Sequence, residues 1–404
     1  NTNNRQEANM AQEMMGNIIT FSNVIDGSRN DWNSQSLDAF QTGMFNGMNE
    51  NNLIDGNNND GNKQLVTAYQ NGTDHDVSSN NQIMGNNNSH NRARVFVLQF
   101  DESHRHVGNN DIIGNGNSWN KQSTVAIQFG LDQDHDLNNR IVGNNNSDNK
   151  QSTFGLQVGQ THDHDNNNRI TGNRNSNNKQ SSFSLQFGSQ NEHETNSDIS
   201  NNNNHQNSQQ AFSIQLGNLH DFLSNNSISS GNNNRNLQRA VGLQLGVLND
   251  IENNNRIGNG SNNNENIQQV ISAQFVTLND VLRNNIIEGN NNNYNVQALG
   301  AVQFGASNIA NDNNRIEGNG NEGNWQIDIA LMDGLMNMNQ DNNLIMGNNN
   351  DDNFQLLIGL QDGNFNEFLR NNHIIGNNNN NNPQVMAVIQ SGNGNSCNDN
   401  NIIN

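Results

Sequence analysis

The chain has 404 residues, a formal net charge of −21 and a hydrophobic content of 30%, far below the roughly 45–50% of ordinary globular domains. This composition excludes a conventional apolar core of the usual size. The acidic charge argues against nucleic acid and anionic lipid as partners, since both need a basic surface. No stretch has the ~18 consecutive apolar residues of a membrane-spanning helix, and the single cysteine, Cys397, excludes an internal disulfide.

The sequence is one repeat carried through its whole length. If Gly143 is position 0, the same position recurs every 29 residues, with one step of 30 between Ser230 and Gly260. Position −2 is almost always Ile, +3 and +6 are Asn in every copy, +8 and +14 are almost always Gln, and +16 is mostly Gly. A fixed period of this size is typical of a solenoid. We therefore predict an all-β fold, a β-solenoid of about 14 coils with stacked Asn/Gln ladders, forming one domain over residues 1–404.

Each copy contains three predicted elements. The segment from −6 to 0 predicts a short strand centred on Ile, and +1 to +5 predicts a tight arc, because Asn and Gly tolerate left-handed backbone. The segment from +6 to +16 alternates with a period of two and predicts a longer strand. In the copy 149–159, one face carries Asn149, Gln151 and Gln157, and the other carries Phe154 and Leu156.

Stacked coils bring equivalent residues to about 4.8 Å from each other, so buried amides can hydrogen-bond to their own copies above and below. Burial statistics would place Phe and Leu inside. We favour the amide face as the inner one, because it varies less and carries the small residues. The apolar stripe, for example Phe183, Leu185 and Phe187, would then need cover from the tail of the repeat or from another molecule. The predicted ladder residues are Asn120, Gln122, Gln128, Asn149, Gln151, Gln157, Asn178, Gln180 and Gln186, with Ile112, Ile141 and Ile170.

The tail after +16 differs between the halves of the chain. In the first half it carries His and acidic residues, and His with carboxylate ligands suits Zn, Cu or Ni. The spacing fits no defined zinc motif, so we interpret these tails as solvated acidic loops, with a bound metal ion as the alternative. In the second half the three- and four-residue spacing of Leu219, Phe222 and Leu223 predicts a helical turn. The weak metal candidates are His75, His104, His135, His162, His164 and His193.

The sequence offers no candidate catalytic residues. No nucleophile and base recur together, and Cys397 has no His near it in the sequence. The Gly-Asn pairs belong to the arcs and do not form phosphate-binding loops. We therefore expect neither enzymatic activity nor a cofactor.

The repeat resembles the curlin repeat of curli, the secreted functional-amyloid fibres of bacterial biofilms. The segment 120–128, NKQSTVAIQ, carries the likeness: Asn at +6, small residues at +10 and +12, and Gln at +14. The likeness covers every copy, but the period is 29 instead of the low twenties, with an extra Gln at +8 and an added tail. The resemblance implies a secreted structural subunit of an extracellular fibre, at the cell surface or in the matrix.

These observations predict a self-assembling extracellular filament whose only partner is the chain itself, through lateral contact of the apolar stripe and through head-to-tail polymerisation. The first copy lacks its Ile strand, and the last residues supply one. A soluble binding solenoid, such as an adhesin or an ice-binding protein, and a metal-binding repeat protein are the alternatives. The residues of the predicted polymer junction are Asn1, Asn4, Gln6, Gln12, Asn401, Ile402, Ile403 and Asn404.

Overall fold

The computed structural model describes residues 3–13, 16, 18–20, 23–45, 47–49, 52–78, 81–107, 110–136, 139–165, 168–194, 197–200, 203–223, 226–229, 232–260, 262–398 and 400–403, with the backbone alone at 12, 19, 259, 260 and 276. Every element within these ranges is a β-strand. The chain divides into two compact units, unit 1 (1–201) and unit 2 (202–404). Each unit is a β-solenoid of parallel stacked strands, and the two hold about 13 turns between them.

Each coil contributes a strand to three parallel sheets, which we name the isoleucine, arc and glutamine sheets. The isoleucine sheet contains the Ile of position −2. Its strands in unit 1 are Asn23–Asp26, Asn52–Asp55, Asn81–Met84, Asn110–Ile113, Asn139–Val142, Asn168–Thr171 and Ser197–Ser200. Its strands in unit 2 are Asn226–Ser229, Asn255–Gly260, Ile286–Gly289, Arg315–Glu317, Leu344–Met346, His373–Ile375 and Ile402–Ile403.

The arc sheet is formed by the short segment that was predicted as an arc. In each coil these residues form a strand of two or three residues, so the predicted tight arc is wrong there. Its strands in unit 1 are Arg29–Asp31, Asn58–Asp60, Asn87–Ser89, Gly116–Ser118, Asn145–Ser147 and Arg174–Ser176. Its strands in unit 2 are Asn203–His205, Asn232–Asn234, Asn262–Asn264, Asn292–Asn293, Asn321–Glu322, Asn350–Asp351 and Asn379–Asn380.

The glutamine sheet contains the long strand of each coil, and in several coils this strand runs on into the tail. Its strands in unit 1 are Arg5–Glu13, Ser34–Met44, Lys63–Thr73, Arg92–Phe100, Lys121–Asp136, Lys150–Asp163 and Lys179–Glu194, with separate tail strands Ile18–Thr20, Gly47–Asn49, Asp76–Ser78 and His104–Val107. Its strands in unit 2 are Ser208–Leu223, Leu237–Glu252, Ile267–Leu282, Val296–Phe304, Trp325–Asp333, Phe354–Asp362 and Gln384–Ser391, with tail strands Asn308–Asn311, Met338–Gln340, Glu367–Leu369 and Ser396–Asn398.

The strand register follows the repeat. Gln122 pairs with Gln151, one period of 29 residues along the chain. In unit 2 the step of 30 residues pairs Gly242 with Ser272. The extra residue is absorbed in the isoleucine sheet, where the register shifts between Ile257 and Gly260.

Two left-handed residues bend each coil around the glutamine sheet. In the coil of Gly143 they are Asp148, at position +5 with φ 55°, and Thr161, at +18 with φ 58°. The glycine at +16 has a second reason to recur. Gly159 has φ 150°, and a Cβ there would lie 1.6 Å from the carbonyl oxygen of Gly130 in the preceding coil. A side chain at Gly159 would therefore need the local backbone to shift.

The amide face lies inside each unit, as predicted. Gln122, Gln128 and Gln157 are at most 2% exposed, and Ile141 is fully buried. The predicted helical turn in the second-half tails is wrong, because those tails are strands. Leu219 is a left-handed corner with φ 60°, after which Phe222 points inward and Leu223 outward. The prediction of a single domain is not tested by this division into two units.

Candidate functional site

The Gln ladder at +14 runs along the inside of the glutamine sheet. Gln157 Nε2 donates to Gln128 Oε1 at 3.0 Å, and Gln186 Nε2 donates to Gln157 Oε1 at 2.9 Å. Gln157 Nε2 also lies 3.1 Å from the carbonyl oxygen of Asp163 in its own tail. Each amide therefore links its coil to the preceding coil and fixes the tail against the long strand. Bonds of this kind contribute about 0.5–1.5 kcal/mol each.

The Gln ladder at +8 joins the glutamine sheet to the isoleucine sheet. Gln151 Nε2 donates to Gln122 Oε1 at 2.8 Å and also approaches the backbone oxygens of Asn139 and Arg169. The amide thus satisfies polar groups of both sheets in the narrow interior.

Asn ladders run along the middle of the arc sheet at +3 and beside the start of the glutamine-sheet strand at +6, as the sequence predicted. Asn146 Nδ2 at +3 donates to Asn175 Oδ1 at 3.0 Å. At +6 the backbone N–H of Asn120 donates to Asn149 Oδ1 at 3.0 Å, and Asn149 Nδ2 donates to Asn178 Oδ1 at 3.1 Å.

Sequence reasoning did not identify two further Asn ladders in unit 2. At +19 Asn279 Nδ2 donates to Asn308 Oδ1 at 3.0 Å. At +24 Asn254 Nδ2 donates to Asn284 Oδ1 at 2.9 Å. The signal was in the sequence, because Asn recurs at +19 in every copy from Asn249 onward and at +24 in every copy from Asn51 onward, but the second-half tail was interpreted as a helical cover.

The ladders have two gaps, and each leaves an unsatisfied acceptor. Ala93 occupies position +8 between Gln64 and Gln122, and Gln64 Oε1 is buried without a hydrogen-bond partner. Met332 occupies +14, and the buried Oε1 of Gln303 likewise lacks a partner. In both cases the missing donor is the amide that the next coil normally supplies.

On the outer side of the glutamine sheet, most coils of both units carry large apolar side chains at three alternate positions, with polar exceptions such as Asp38, Asn71, Asp333 and Asp362. We call positions +11, +13 and +15 the apolar face. Its side chains stack along the sheet, with the Phe154 and Phe183 rings 5.3 Å apart and within 3° of parallel. Exposed members are Phe40 at 43%, Phe96 at 37%, Ile271 at 55%, Phe304 at 40%, Ile329 at 41%, Ile358 at 41% and Leu360 at 44%.

The tails of unit 1 place their histidines inside, so the prediction of solvated acidic loops is wrong. His75, His104 and His162 lie at +19 and are 1% exposed. Four more histidines lie at +21, and we call them the histidine column. The column consists of His106, His135, His164 and His193, each 0% exposed.

The rings of the column stack face to face. Their centroids are separated by 4.9, 4.6 and 4.8 Å, and adjacent planes differ by 3°, 13° and 7°. Small residues face them, and a Cβ on Gly155 would lie 3.3 Å from His164 Cε1 and 3.5 Å from His135 Nδ1. Neither ring nitrogen of His135 or His164 has a hydrogen-bond partner.

Burial shifts the pKa values of the side chains on both faces of these tails. Desolvation lowers the pKa of His164 to about 3 and holds the pKa of His135 well below its usual value. On the outer side of the same strands, carboxylate oxygens of Asp136, Asp163 and Asp165 lie within 4.8 Å of one another. Burial and mutual repulsion raise the pKa of Asp136 to about 6 and also raise that of Asp165.

The ring geometry does not favour metal binding by the column. Zinc is normally held by ligand atoms that converge from different directions at about 2.0–2.1 Å. Parallel rings more than 4 Å apart direct their nitrogens side by side instead. The metal hypothesis stays a prediction.

The residues of the predicted polymer junction lie in the first and last coils. Gln35 Nε2 donates to Gln6 Oε1 at 3.0 Å, and the N–H of Asn4 donates to Asn33 Oδ1 at 2.9 Å. Asn372 Nδ2 donates to Asn401 Oδ1 at 2.8 Å, and Ile402 and Ile403 pair with His373 and Ile374. Asn1, Asn404 and the side chain of Gln12 lie outside the described residues, and Cys397 is exposed. Head-to-tail polymerisation stays a prediction.

Comparisons with known proteins give no relative for this chain. No protein-family model, no curated protein and no solved structure matches it. None of the described segments forms a helix of the length and apolarity that crossing a membrane requires. What this chain does must therefore be inferred from its residues and their geometry.

Proposed function

We propose that this chain is a structural protein that associates with further copies of itself, as the subunit of an extracellular filament, through the apolar face of its glutamine sheet. The observation that carries the proposal is the exposed, laddered apolar side of that sheet. Large exposed apolar surfaces of soluble proteins usually mark contact sites.

The backbone of the sheet makes the face suitable for contact between sheets. Strands in register present equivalent side chains at about 4.8 Å intervals, and two such faces can pack about 10 Å apart. Full burial of a fully exposed Ile or Phe side chain contributes about 1.5–3 kcal/mol, and the half-exposed side chains of this face would each contribute a fraction of that. The net charge of −21 opposes association at low ionic strength, so salt should promote it. The extracellular location rests on the resemblance to curlin repeats.

Electron microscopy and sedimentation velocity of the purified chain test the proposal. The wild-type protein should form filaments or bundles. A variant with Ile271→Lys and Ile358→Lys should stay dispersed, since both charges would be buried at the contact. These residues are three coils apart, which limits repulsion between the introduced charges within one molecule.

The matched control carries Asn377→Lys and Asn398→Lys, two exposed positions away from the apolar face. It should assemble as the wild type does. Normal assembly of the Ile→Lys variant, with an unchanged circular dichroism spectrum, would overturn the proposal. A wild-type chain that stays monomeric at high concentration and salt would favour the soluble binding solenoid.

A further inference from the structure

The histidine column occupies an interior position, +21, that carries apolar side chains in most other coils. In unit 1 position +21 is Met48 and then Val77, both fully buried, before the four histidines begin. In unit 2 the same position carries Phe222, Ile251 and Val281, also fully buried. The fold therefore accepts apolar side chains at this position, and the histidines are not needed to close the coil.

The surroundings match closely in the two units. Gly155 faces His135 and His164, just as Gly242 faces Phe222 and Ile251. In the next coil, position +12 is a serine in both units. In unit 1 it is Ser184, in the coil of His193, and in unit 2 it is Ser272, in the coil of Val281. Unit 2 thus contains an apolar version of the same interior.

Among the residues that the structure describes, no carboxylate faces the column from within. The inward residues of the long strands are small and uncharged: Thr124, Ala126, Thr153, Gly155, Ser182 and Ser184. The isoleucine sheet contributes Asn, Ser and Ile, and position +19 contributes His104, Gln133, His162 and Asn191. The charged groups Arg105, Asp134, Asp136, Asp163, Asp165, Glu192 and Glu194 alternate with the inward residues and lie on the outer side of the tails.

We propose that the histidine column is an acid-sensitive device, which opens the tails of unit 1 between 104 and 194 when the pH falls below about 6, while the histidine-free coils of unit 2 stay closed. Protonated neighbours would carry like charges 4.6–4.9 Å apart, and no described carboxylate faces them from inside the coil. Opening exposes the rings to water, where imidazolium is stable. This inference is independent of the proposed self-association.

The direction follows from proton linkage. Burial lowers the pKa of His162 and His164 below the value of an exposed imidazole, so the open form binds more protons in acid. The stability of the closed form is therefore complete above about pH 6.5 and is lost as the pH falls. The outer carboxylates act in the opposite sense. Their pKa values are raised in the closed form, so the closed form binds protons more tightly than the open form and is stabilised in acid. A test must therefore change the histidines alone.

The decisive variant gives unit 1 the apolar column of unit 2: His135→Phe, His164→Ile and His193→Val. Hydrogen exchange is measured near pH 7.5 and near pH 5 and is expressed as protection factors, which removes the intrinsic pH dependence. In the wild type, protection of Lys121–Asp136, Lys150–Asp163 and Lys179–Glu194 should fall at least about tenfold near pH 5. Protection of Leu237–Glu252 and Ile267–Leu282 should not fall, because the raised pKa values of Asp250 and Asp280 favour the closed form in acid.

The variant should keep its protection in unit 1 at both pH values. If the wild type and the variant lost the same protection near pH 5, the proposal would be overturned, because groups other than these histidines would cause the acid opening. Unchanged protection of the wild type near pH 5 would overturn it as well. If the triple variant does not fold, Ile251→His provides the reverse test, since it should make Leu237–Glu252 acid-labile. Retained protection of Leu237–Glu252 in that variant would contradict the proposal.

Discussion

Gln64 pairs with Ala93 in the register of the glutamine sheet, and the buried Oε1 of Gln64 has no hydrogen-bond partner. Elsewhere along this ladder the corresponding oxygen accepts from the Gln of the next coil, as Gln122 accepts from Gln151 at 2.8 Å. The relationship shows what one missing amide does. A buried acceptor loses its partner while the backbone register is kept.

Ala93→Gln should therefore stabilise the protein. The new amide would donate to Gln64 and complete the ladder, with an expected gain of about 0.5–1.5 kcal/mol in the free energy of unfolding. Chemical denaturation of the chain, followed in unit 1, measures the change in the free energy of unfolding. Ala126→Gln is the control, because Ala126 is equally buried but lies at +12, which has no ladder, and it should destabilise. An Ala93→Gln protein less stable than the wild type would contradict the account of the ladder.

Met332→Gln should likewise stabilise the protein, through unit 2. Gln303 Oε1 is buried and without a partner, and Gln361 Nε2 lies 3.5 Å from Met332 Sδ, a weak acceptor. A Gln would donate to Gln303 and accept from Gln361, for a gain of about 1 kcal/mol. Met332→Leu keeps an apolar side chain of similar size and should give no gain. Equal stability of the two variants would show that the amide itself contributes nothing.

Gln157→Ala should have the reverse effect. It removes the acceptor of Gln186 and the donor to Gln128, leaving buried polar groups unpaired at a cost of about 1–3 kcal/mol. Gln160→Ala, at an exposed position of the same strand, should change stability by less than about 0.5 kcal/mol. The melting temperatures of the two variants provide the comparison, and similar values would argue that the ladder at +14 is not stabilising.

Asp328 should make the stability of unit 2 depend on pH. Its side chain is fully buried, with Leu299 and Leu357 at the same position of the neighbouring coils, and Asn339 Nδ2 donates to its Oδ2 at 3.1 Å. Burial raises its pKa to about 7, so the folded state binds a proton more tightly than the unfolded state. Its contribution to stability is present at low pH and is lost as the pH rises through about 7.

Asp328→Asn should remove this dependence. Between about pH 4 and pH 7 the wild type should lose about 1.4 kcal/mol per pH unit from this group, and above pH 7 the variant should be the more stable protein. Urea denaturation at several pH values measures both curves. Parallel curves for the two proteins would show that Asp328 is not the titrating group. Asp362, an exposed aspartate of unit 2, is a suitable control for Asp→Asn substitution.

The sequence predicted the stacked coils and the inner amide face because those positions repeat strictly. Asn149, Gln151 and Gln157 recur at fixed spacing, and only direct stacking of copies explains such a pattern in so polar a chain. The curlin resemblance agrees with this reading, although no comparison tests it.

The tails were mispredicted because the left-handed corner at +18 switches the inward-facing positions from even to odd. Inward residues of the long strand are at even positions, such as Gln151 at +8 and Gln157 at +14. Thr161 at +18 is left-handed, and after it the inward positions are odd, so His162 and His164 point inside. A period of two continued through the corner would place Asp163 inside. The alternating His and acid residues then resemble a solvated loop, and sequence alone does not reveal the left-handed residue between them.

The central claim is that amides fill the interior while the apolar face of the glutamine sheet contacts another copy. A cryo-electron microscopy map of the assembled material tests it most directly. The account predicts strands spaced by about 4.8 Å, Gln128 and Gln157 inside the coil, and Ile271 and Ile358 packed against a neighbouring molecule. A map in which Phe154 and Phe183 form the interior, or in which Ile271 and Ile358 face solvent in the assembly, would contradict it.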